Sequence, residues 1–103
     1  MTTFIKQWIV ALRSGNYTQA YGQLDTGCSC CAIGVACRLM GDQLEARTVP
    51  NGSITYDHHG RTPPEKVVKA IGLPMDILSK VMWMNDRQQR SFPEIADYLE
   101  TVT

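Results

Sequence analysis

The sequence has no surplus of charge of either sign and no long apolar run. Ten Lys and Arg residues balance ten Asp and Glu residues among 103, so the formal net charge is zero. A protein that coats a phosphate backbone needs surplus basic charge, and this balance argues against nucleic acid as the main partner. No apolar stretch approaches the roughly 20 residues that a membrane span requires, so we expect no membrane among the partners.

The sequence also starts without the features of a signal peptide. Its first residues lack a basic region, an apolar region and a small-residue cleavage site, so we expect a cytoplasmic protein. Hydrophobic residues make up 44% and charged residues 19%, which is ordinary globular composition. A chain of this length has room for one core. We therefore expect one domain over residues 1–103.

Apolar spacing and helix-ending residues predict a mainly helical α+β fold, with about five short helices and one small β-hairpin. The first stripe runs from Phe4 to Leu12, with Thr2 or Thr3 as its cap and Gly15 after its end. A second helix over residues 30–40 is apolar nearly all round, which is typical of a central, buried helix. Between these two helices, residues 16–26 lack a helical period and predict an extended excursion or a loose hairpin.

The second half of the sequence is punctuated by caps and turns. Thr62-Pro63-Pro64-Glu65 and Ser91-Phe92-Pro93-Glu94 are capping-box sequences that open two helices, with a further amphipathic helix between them that ends near Asn85. Asn51-Gly52 predicts a tight hairpin turn, and Pro50 before it keeps the partner strand short. Gly34 lies inside the central helix, where it costs about 1 kcal/mol relative to Ala. Close approach of a neighbouring element would explain that glycine.

All four cysteines fall between Cys28 and Cys37, which leaves their chemistry open. Disulfides at such short spacing would constrain little of the unfolded chain, so we expect reduced thiols. Zinc is one alternative, with Cys28, Cys30 and Cys31 as ligands and Cys37 or the His58-His59 pair completing the set. The spacing is poor for zinc, because a second ligand pair is missing. The competing interpretation is that Cys31 and Cys37 are small buried hydrophobes, and no cofactor is expected.

A thiol hydrolase is the other chemical alternative. Cys30 or Cys31 lies near a helix N-terminus, where the helix dipole stabilises a thiolate, and His58 or His59 could act as its base. Asp57 or Asp86 would orient that histidine. Such enzymes carry the histidine on a sheet, whereas the sequence predicts one hairpin, so His58 and His59 are also readily explained as part of a polar turn.

Several motifs together resemble a known family. Cys31-x-x-Gly34-Val35-x-Cys37 and Met84-Asn85-Asp86 are two of them, and the others are Ala11-Leu12-Arg13-Ser14-Gly15-x-Tyr17-x-Gln19, Ile71-Gly72-Leu73 and Ser91-Phe92-x-Glu94-Ile95-Ala96-Asp97-Tyr98-x-Glu100. In this order they resemble small uncharacterised, cyanophage-like proteins encoded by tailed bacteriophages. The resemblance implies a phage origin and a place in the cytoplasm of the infected bacterium. Cys28 and Cys30 are not part of the family pattern, and its members carry Cys and Leu in place of Ala32 and Ile33.

The most suggestive surface feature is Met82-Trp83-Met84. Three consecutive residues of a helix cannot all face one core, so at least one is exposed or covered by a partner. Arg87 and Arg90 follow in a short basic loop. A recognition helix after this loop would carry Glu94, Asp97 and Glu100, whose charge has the wrong sign for DNA. We therefore expect a non-catalytic accessory protein that binds a host or phage protein through Met82, Trp83, Met84, Arg87 and Arg90.

Overall fold

The computed structural model of the protein describes residues 3–103. This part of the chain has five α-helices and a two-stranded antiparallel sheet, which confirms the predicted mainly helical α+β class. The elements are α1 (Thr3–Arg13), α2 (Ala32–Met40), β1 (Ala46–Thr48), β2 (Ile54–Tyr56), α3 (Glu65–Ile71), α4 (Met75–Asp86) and α5 (Phe92–Val102). A short 3-10 turn, Gly41–Gln43, follows α2 directly.

Helix α2 is the centre of the fold, as its apolar sequence predicts. It packs against α1, α3 and α4, while α1 also packs along α5. Every residue from Ala32 to Cys37 is buried. The helix begins at Ala32 rather than Cys30, because Cys31 has extended backbone and acts as the N-cap. The largest fully buried side chains around it are Trp8, Leu12, Leu24, Ile33, Ile71, Leu78, Ile95 and Leu99.

The predicted helix caps divide into those that form and those that do not. Ser91 caps α5 as expected, since its hydroxyl accepts from the Glu94 N–H at 3.3 Å while the Glu94 carboxylate accepts from the Ser91 N–H at 3.1 Å. The box expected at Thr62 is wrong. Helix α3 begins only at Glu65, after Pro64 and without a side-chain cap. The Thr62 hydroxyl instead contacts His59 Nδ1 at 3.0 Å.

The sequence also predicts the residues at the two ends of α1. Thr3 is already helical and so is not the N-cap, and Thr2 lies outside the described residues. At the other end, Gly15 follows the helix with a φ of 77°. This left-handed conformation favours glycine and matches the expected helix stop.

The hairpin forms where the sequence predicts it and is short on both sides. Ala46 pairs with Tyr56 and Thr48 pairs with Ile54. The turn at Asn51-Gly52 has Gly52 at a φ of 92°. A second tight turn follows β2, in which Asp57 and His58 both have positive φ. The Tyr56 and His59 backbones exchange hydrogen bonds across this second turn at 2.9 and 2.8 Å.

Residues 14–31, the connecting loop, run in an extended path between α1 and α2 and return against the start of α2. Cys30 joins its two halves, because its N–H donates to Thr18 O at 2.9 Å and its carbonyl accepts from Ala20 N at 2.8 Å. The Cys31 N–H donates to Leu24 O at 3.1 Å. The predicted absence of a helix over residues 16–26 is therefore confirmed.

Gly34 is required by this loop. A Cβ at this position would lie 1.8 Å from Leu24 O and 2.9 Å from the Cys30 Cβ. Because the Leu24 carbonyl is backbone that also accepts from the Cys31 N–H, it cannot move aside without breaking that bond. The close approach expected at Gly34 is confirmed, and the neighbour is the connecting loop.

Gly34→Ala should destabilise the protein. The better helix propensity of Ala gains about 1 kcal/mol, but the forced shift of the loop costs more, and we expect a net loss of about 2 kcal/mol or more in urea unfolding. Gly60→Ala is the matched control, because its nearest atom would be the Thr55 Cγ2 at 3.7 Å. Equal stability of the two variants would contradict the close packing of loop and helix.

Candidate functional site

The side-chain amide of Asn85 is the largest buried polar group of α4 and holds the connecting loop. Its Oδ1 accepts from Ala32 N at 3.1 Å and from Gln19 Nε2 at 2.9 Å. Its Nδ2 donates to Ala20 O at 2.9 Å and to Asp86 Oδ1 at 2.8 Å. Both donors and both acceptor positions of the amide are used, so Asn85 has no capacity left for a ligand.

The neighbours of Asn85 extend the same connection. Asp86 Oδ1 also accepts from Gly22 N at 2.9 Å, and Gln19 Nε2 also donates to Arg90 O at 2.6 Å. The connecting loop is therefore tied to the end of α4 at three successive places. Gln19, Asn85 and Asp86 all belong to the motifs quoted above, and the structure gives each of them a role in folding.

Asp25 is the second buried polar centre, and it joins the connecting loop to α2 and to the hairpin. Its carboxylate accepts from Arg38 at 2.8 and 2.9 Å, from Tyr56 Oη at 2.6 Å and from Gly27 N at 2.8 Å. Burial alone would raise the pKa of Asp25, but the hydrogen bonds from Arg38, Tyr56 and Gly27 outweigh it and hold that pKa below its ordinary value. The carboxylate is 1% exposed and fully used, which marks a structural pair rather than a catalytic acid.

Three of the four thiols lie in the core. Cys30, Cys31 and Cys37 are buried, and burial raises the pKa of Cys30 to about 11 and that of Cys31 to about 12. The pKa of Cys37 is also raised by burial. Cys31 does lie at a helix N-terminus, where its sulfur accepts from Gly34 N at 3.4 Å, but burial outweighs this contact. At neutral pH these groups are thiols, which is the wrong state for a nucleophile.

The two histidines lie on the turn after β2, apart from the thiols. His59 Nδ1 contacts Thr62 Oγ1 at 3.0 Å, and His58 Nε2 lies 3.9 Å from Glu45 Oε2. The polar-turn interpretation of His58 and His59 is the one that the geometry matches. Across residues 3–103, no three His, Cys, Asp or Glu side chains are placed to hold a metal ion, so the alternative zinc set that includes Cys28 is not assembled.

Large exposed apolar side chains lie on α4 and on the loop segment bound to its end. Trp83 is 47% exposed and Met75 is 50% exposed, and both lie on α4. Tyr21 is 48% exposed and stands between Ala20 and Gly22, the two loop residues that hydrogen-bond the end of α4. Lys80 Nζ lies 4.7 Å from the centroid of the Trp83 ring, in a cation–π contact. We call this surface the α4 face and define it by Tyr21, Met75, Lys80, Trp83 and Arg87.

The structure brings together only part of the predicted binding set. Trp83 and Arg87 are exposed on the α4 face, and Met82 is half-buried against the core. Met84 is 7% exposed and belongs to the core, so its place in the predicted set is wrong. Arg90 is exposed, but its guanidinium already pairs with Glu94 at 3.2 Å.

Three residues of the α4 face are missing from the set predicted from the sequence. Lys80 precedes Trp83 by three residues, a spacing that places both on one side of a helix and could have been used. Met75 begins the same helix and carries no such signal. Tyr21 could not have been found, because its position depends on hydrogen bonds between residues more than 60 positions apart.

The fold and this geometry define a small, mainly helical α+β domain whose buried polar groups brace a long loop. Residues 1–78 match the family described as Domain of unknown function (DUF8296). The match covers more than half of the chain, and the chain belongs to this family. Neither the curated proteins nor the solved structures contain a match. In the described part of the chain, no helix is long and apolar enough to cross a membrane.

The burial of the thiols predicts a simple reactivity pattern. In the native protein, Ellman's reagent should react rapidly with one thiol, Cys28, and with Cys30, Cys31 and Cys37 only after denaturation, because burial hides their sulfurs and keeps them protonated. Cys28→Ser should abolish the rapid phase. Two or more rapidly reacting thiols in the native protein would restore the thiol-enzyme interpretation.

Removing the Asp25 charge should cost much more than removing an exposed one. Asp25→Asn leaves Arg38 without its carboxylate, and we expect a loss of about 3 kcal/mol in the free energy of unfolding at pH 7. Glu45→Gln is the matched control, because the exposed Glu45–Arg47 pair should contribute less than about 1 kcal/mol. Urea unfolding of both variants measures the difference.

A comparison of the wild type with Asp25→Asn at different pH values tests the pKa of Asp25. Folding lowers the pKa of Asp25, so the ionised carboxylate stabilises the folded protein. This stabilisation is fully present above the unfolded-state pKa of about 3.9 and is lost as the pH falls through the folded-state pKa. The stability gap between the wild type and Asp25→Asn should therefore narrow below about pH 4. A gap that stays constant down to pH 2.5 would show that Asp25 is not ionised in the folded protein.

Proposed function

We propose that this chain is a phage-encoded accessory protein that binds a host or phage protein through the α4 face and catalyses no reaction. One observation carries the proposal. Of the four large hydrophobic side chains that are exposed in residues 3–103, Met75 and Trp83 lie on α4 and Tyr21 lies in the loop segment that hydrogen-bonds the end of α4, whereas Val10 lies on α1. Exposed apolar side chains gathered on one surface are typical of an interaction site.

The composition of the α4 face supports protein binding. Trp, Tyr and Arg are the residues most enriched among those that dominate binding energy at protein interfaces, and the face contains one of each. A well-fixed platform lowers the ordering cost of association. The α4 face has such a platform, since Asn85 and Asp86 join the segment that carries Tyr21 to the helix that carries Trp83.

The groups that could have performed chemistry support the non-catalytic part of the proposal. Three thiols are buried and protonated, and both buried polar centres use their hydrogen bonds within the fold. A nucleic-acid role has less support than protein binding. The helix that would have followed the basic loop, α5, carries three acidic residues, of which Asp97 and Glu100 pair with Arg13 and Glu94 pairs with Arg90.

The phage origin rests on the motifs from Ala11 to Glu100, and such an origin implies the cytoplasm of an infected bacterium. Small proteins in that setting commonly act by binding larger machinery. This step is an analogy that the fold alone does not supply.

Trp83→Ala tests the proposal. The tagged full chain, as wild type, Trp83→Ala and Val10→Ala, would be incubated with lysate of phage-infected bacteria, and a stoichiometric partner identified on the wild type would then be titrated. Loss of a central Trp costs about 2 kcal/mol or more, so we expect affinity to fall at least about 30-fold. Val10→Ala, a change at an exposed apolar side chain on α1, should bind as the wild type does.

Two results would count against this function. One is a monodisperse wild-type protein that retains no stoichiometric partner from the infected lysate. The other is a partner whose affinity changes equally in Trp83→Ala and Val10→Ala, because the α4 face would then have no special role.

A further inference from the structure

Two cations flank the exposed Trp83 ring. Lys80 precedes Trp83 by three residues and Arg87 follows it by four, so all three share one side of α4. Neither cation has a carboxylate oxygen within 4.0 Å in residues 3–103, whereas six of the ten Lys and Arg residues do. The exposed ring is therefore flanked by two cations that the fold itself does not neutralise.

The carboxylates nearest in sequence do not cancel this charge. Asp86 is half-buried and accepts hydrogen bonds from Gly22 N and Asn85 Nδ2. Glu94 pairs with Arg90. Asp76 lies in the first turn of α4, four residues before Lys80, but its carboxylate oxygens are more than 4.0 Å from the Lys80 ammonium. There it complements the positive end of the helix dipole.

On the strength of the proposed function, we infer that the partner of the α4 face is an acidic protein segment, in which Asp or Glu residues flank an apolar side chain. The apolar side chain would pack on Trp83, and the carboxylates would pair with Lys80 and Arg87. Complementary charge of this kind steers association and excludes partners of the wrong sign. A nucleic-acid backbone would need a longer run of free cations than these two.

Peptide selection tests the chemistry of the partner directly. A displayed library of random 12-residue peptides would be panned on the immobilised full chain, with Trp83→Ala as the counter-selection, and the retained sequences compared with the input library. We expect enrichment of Asp and Glu beside an aromatic or aliphatic residue. The double variant Lys80→Glu, Arg87→Glu should instead enrich Lys and Arg.

A charge-matched control separates the α4 face from net charge. Lys6→Glu combined with Arg61→Glu changes the net charge equally, at two cations that lie off α4 and also have no carboxylate within 4.0 Å in the described chain. This control should still select acidic peptides. If it selects basic peptides as the α4 variant does, the inference is overturned.

Fluorescence titration of one selected acidic peptide gives the second readout. Trp8 is completely buried and Trp83 is 47% exposed, so a change in emission or in acrylamide quenching reports on Trp83. We expect at least a tenfold loss of affinity in the Lys80→Glu, Arg87→Glu variant and weaker binding at 500 mM than at 50 mM salt. Unchanged affinity in both comparisons would overturn the acidic assignment.

The outcomes separate this inference from the proposed function. Enrichment that does not depend on Trp83 contradicts both. Enrichment that depends on Trp83 but yields neutral or basic peptides overturns only the acidic assignment. Tight binding of a labelled dT20 oligonucleotide that is lost in the Lys80→Glu, Arg87→Glu variant would replace the protein partner with single-stranded nucleic acid.

Discussion

The four hydrogen bonds of the Asn85 amide are the interaction on which the rest of this structure depends. Residues 14–31 form a long connection without regular helix or strand, and such a segment buries backbone groups that need partners. Asn85 supplies partners to Ala20 O and Ala32 N, and it also accepts from the side chain of Gln19 in the same loop. An apolar residue of similar size would fill the space but leave these groups unpaired, at a cost of about 1–3 kcal/mol each. The buried backbone groups of a loop in the first half of the chain thus find their hydrogen-bond partners in a side chain from the second half.

Three sets of contacts hold the connecting loop, and each of them fixes a different part of it. Gly34 lets the Leu24 carbonyl lie directly on α2, where any Cβ would collide with it. Asp25, the residue after Leu24, is held because its carboxylate accepts hydrogen bonds from Arg38 of α2 and Tyr56 of the hairpin. Asn85 and Asp86 hold the earlier part of the loop against α4. Because the same contacts that satisfy buried groups also place Tyr21 beside the helix of Trp83, folding and the shape of the α4 face have one cause.

Sequence patterns predicted the elements well and the connections between them poorly. The apolar stripes, Gly15, Asn51-Gly52 and the Ser91 capping box are local signals, and each appears where it was expected. The box at Thr62 does not form because Pro64 has extended backbone and the helix begins only at Glu65, and the Thr62 hydroxyl contacts His59 instead. Of the candidate site, Trp83 and Arg87 were found from the order of residues along one helix. Met84 was misassigned because a consecutive run does not say which member faces inward, and Tyr21 was missed because its place depends on Asn85.

The neutral composition conceals a local imbalance of charge, so a chain with zero net charge can still carry the positively charged surface that we propose binds a partner. Most of its cations are neutralised within the fold, as Arg38 is by Asp25 and Arg13 is by two carboxylates of α5. Lys80 and Arg87 are left without such partners on either side of an exposed Trp. Screening confines the field of exposed charges to about 8 Å at physiological ionic strength, so a partner senses this local surface rather than the average.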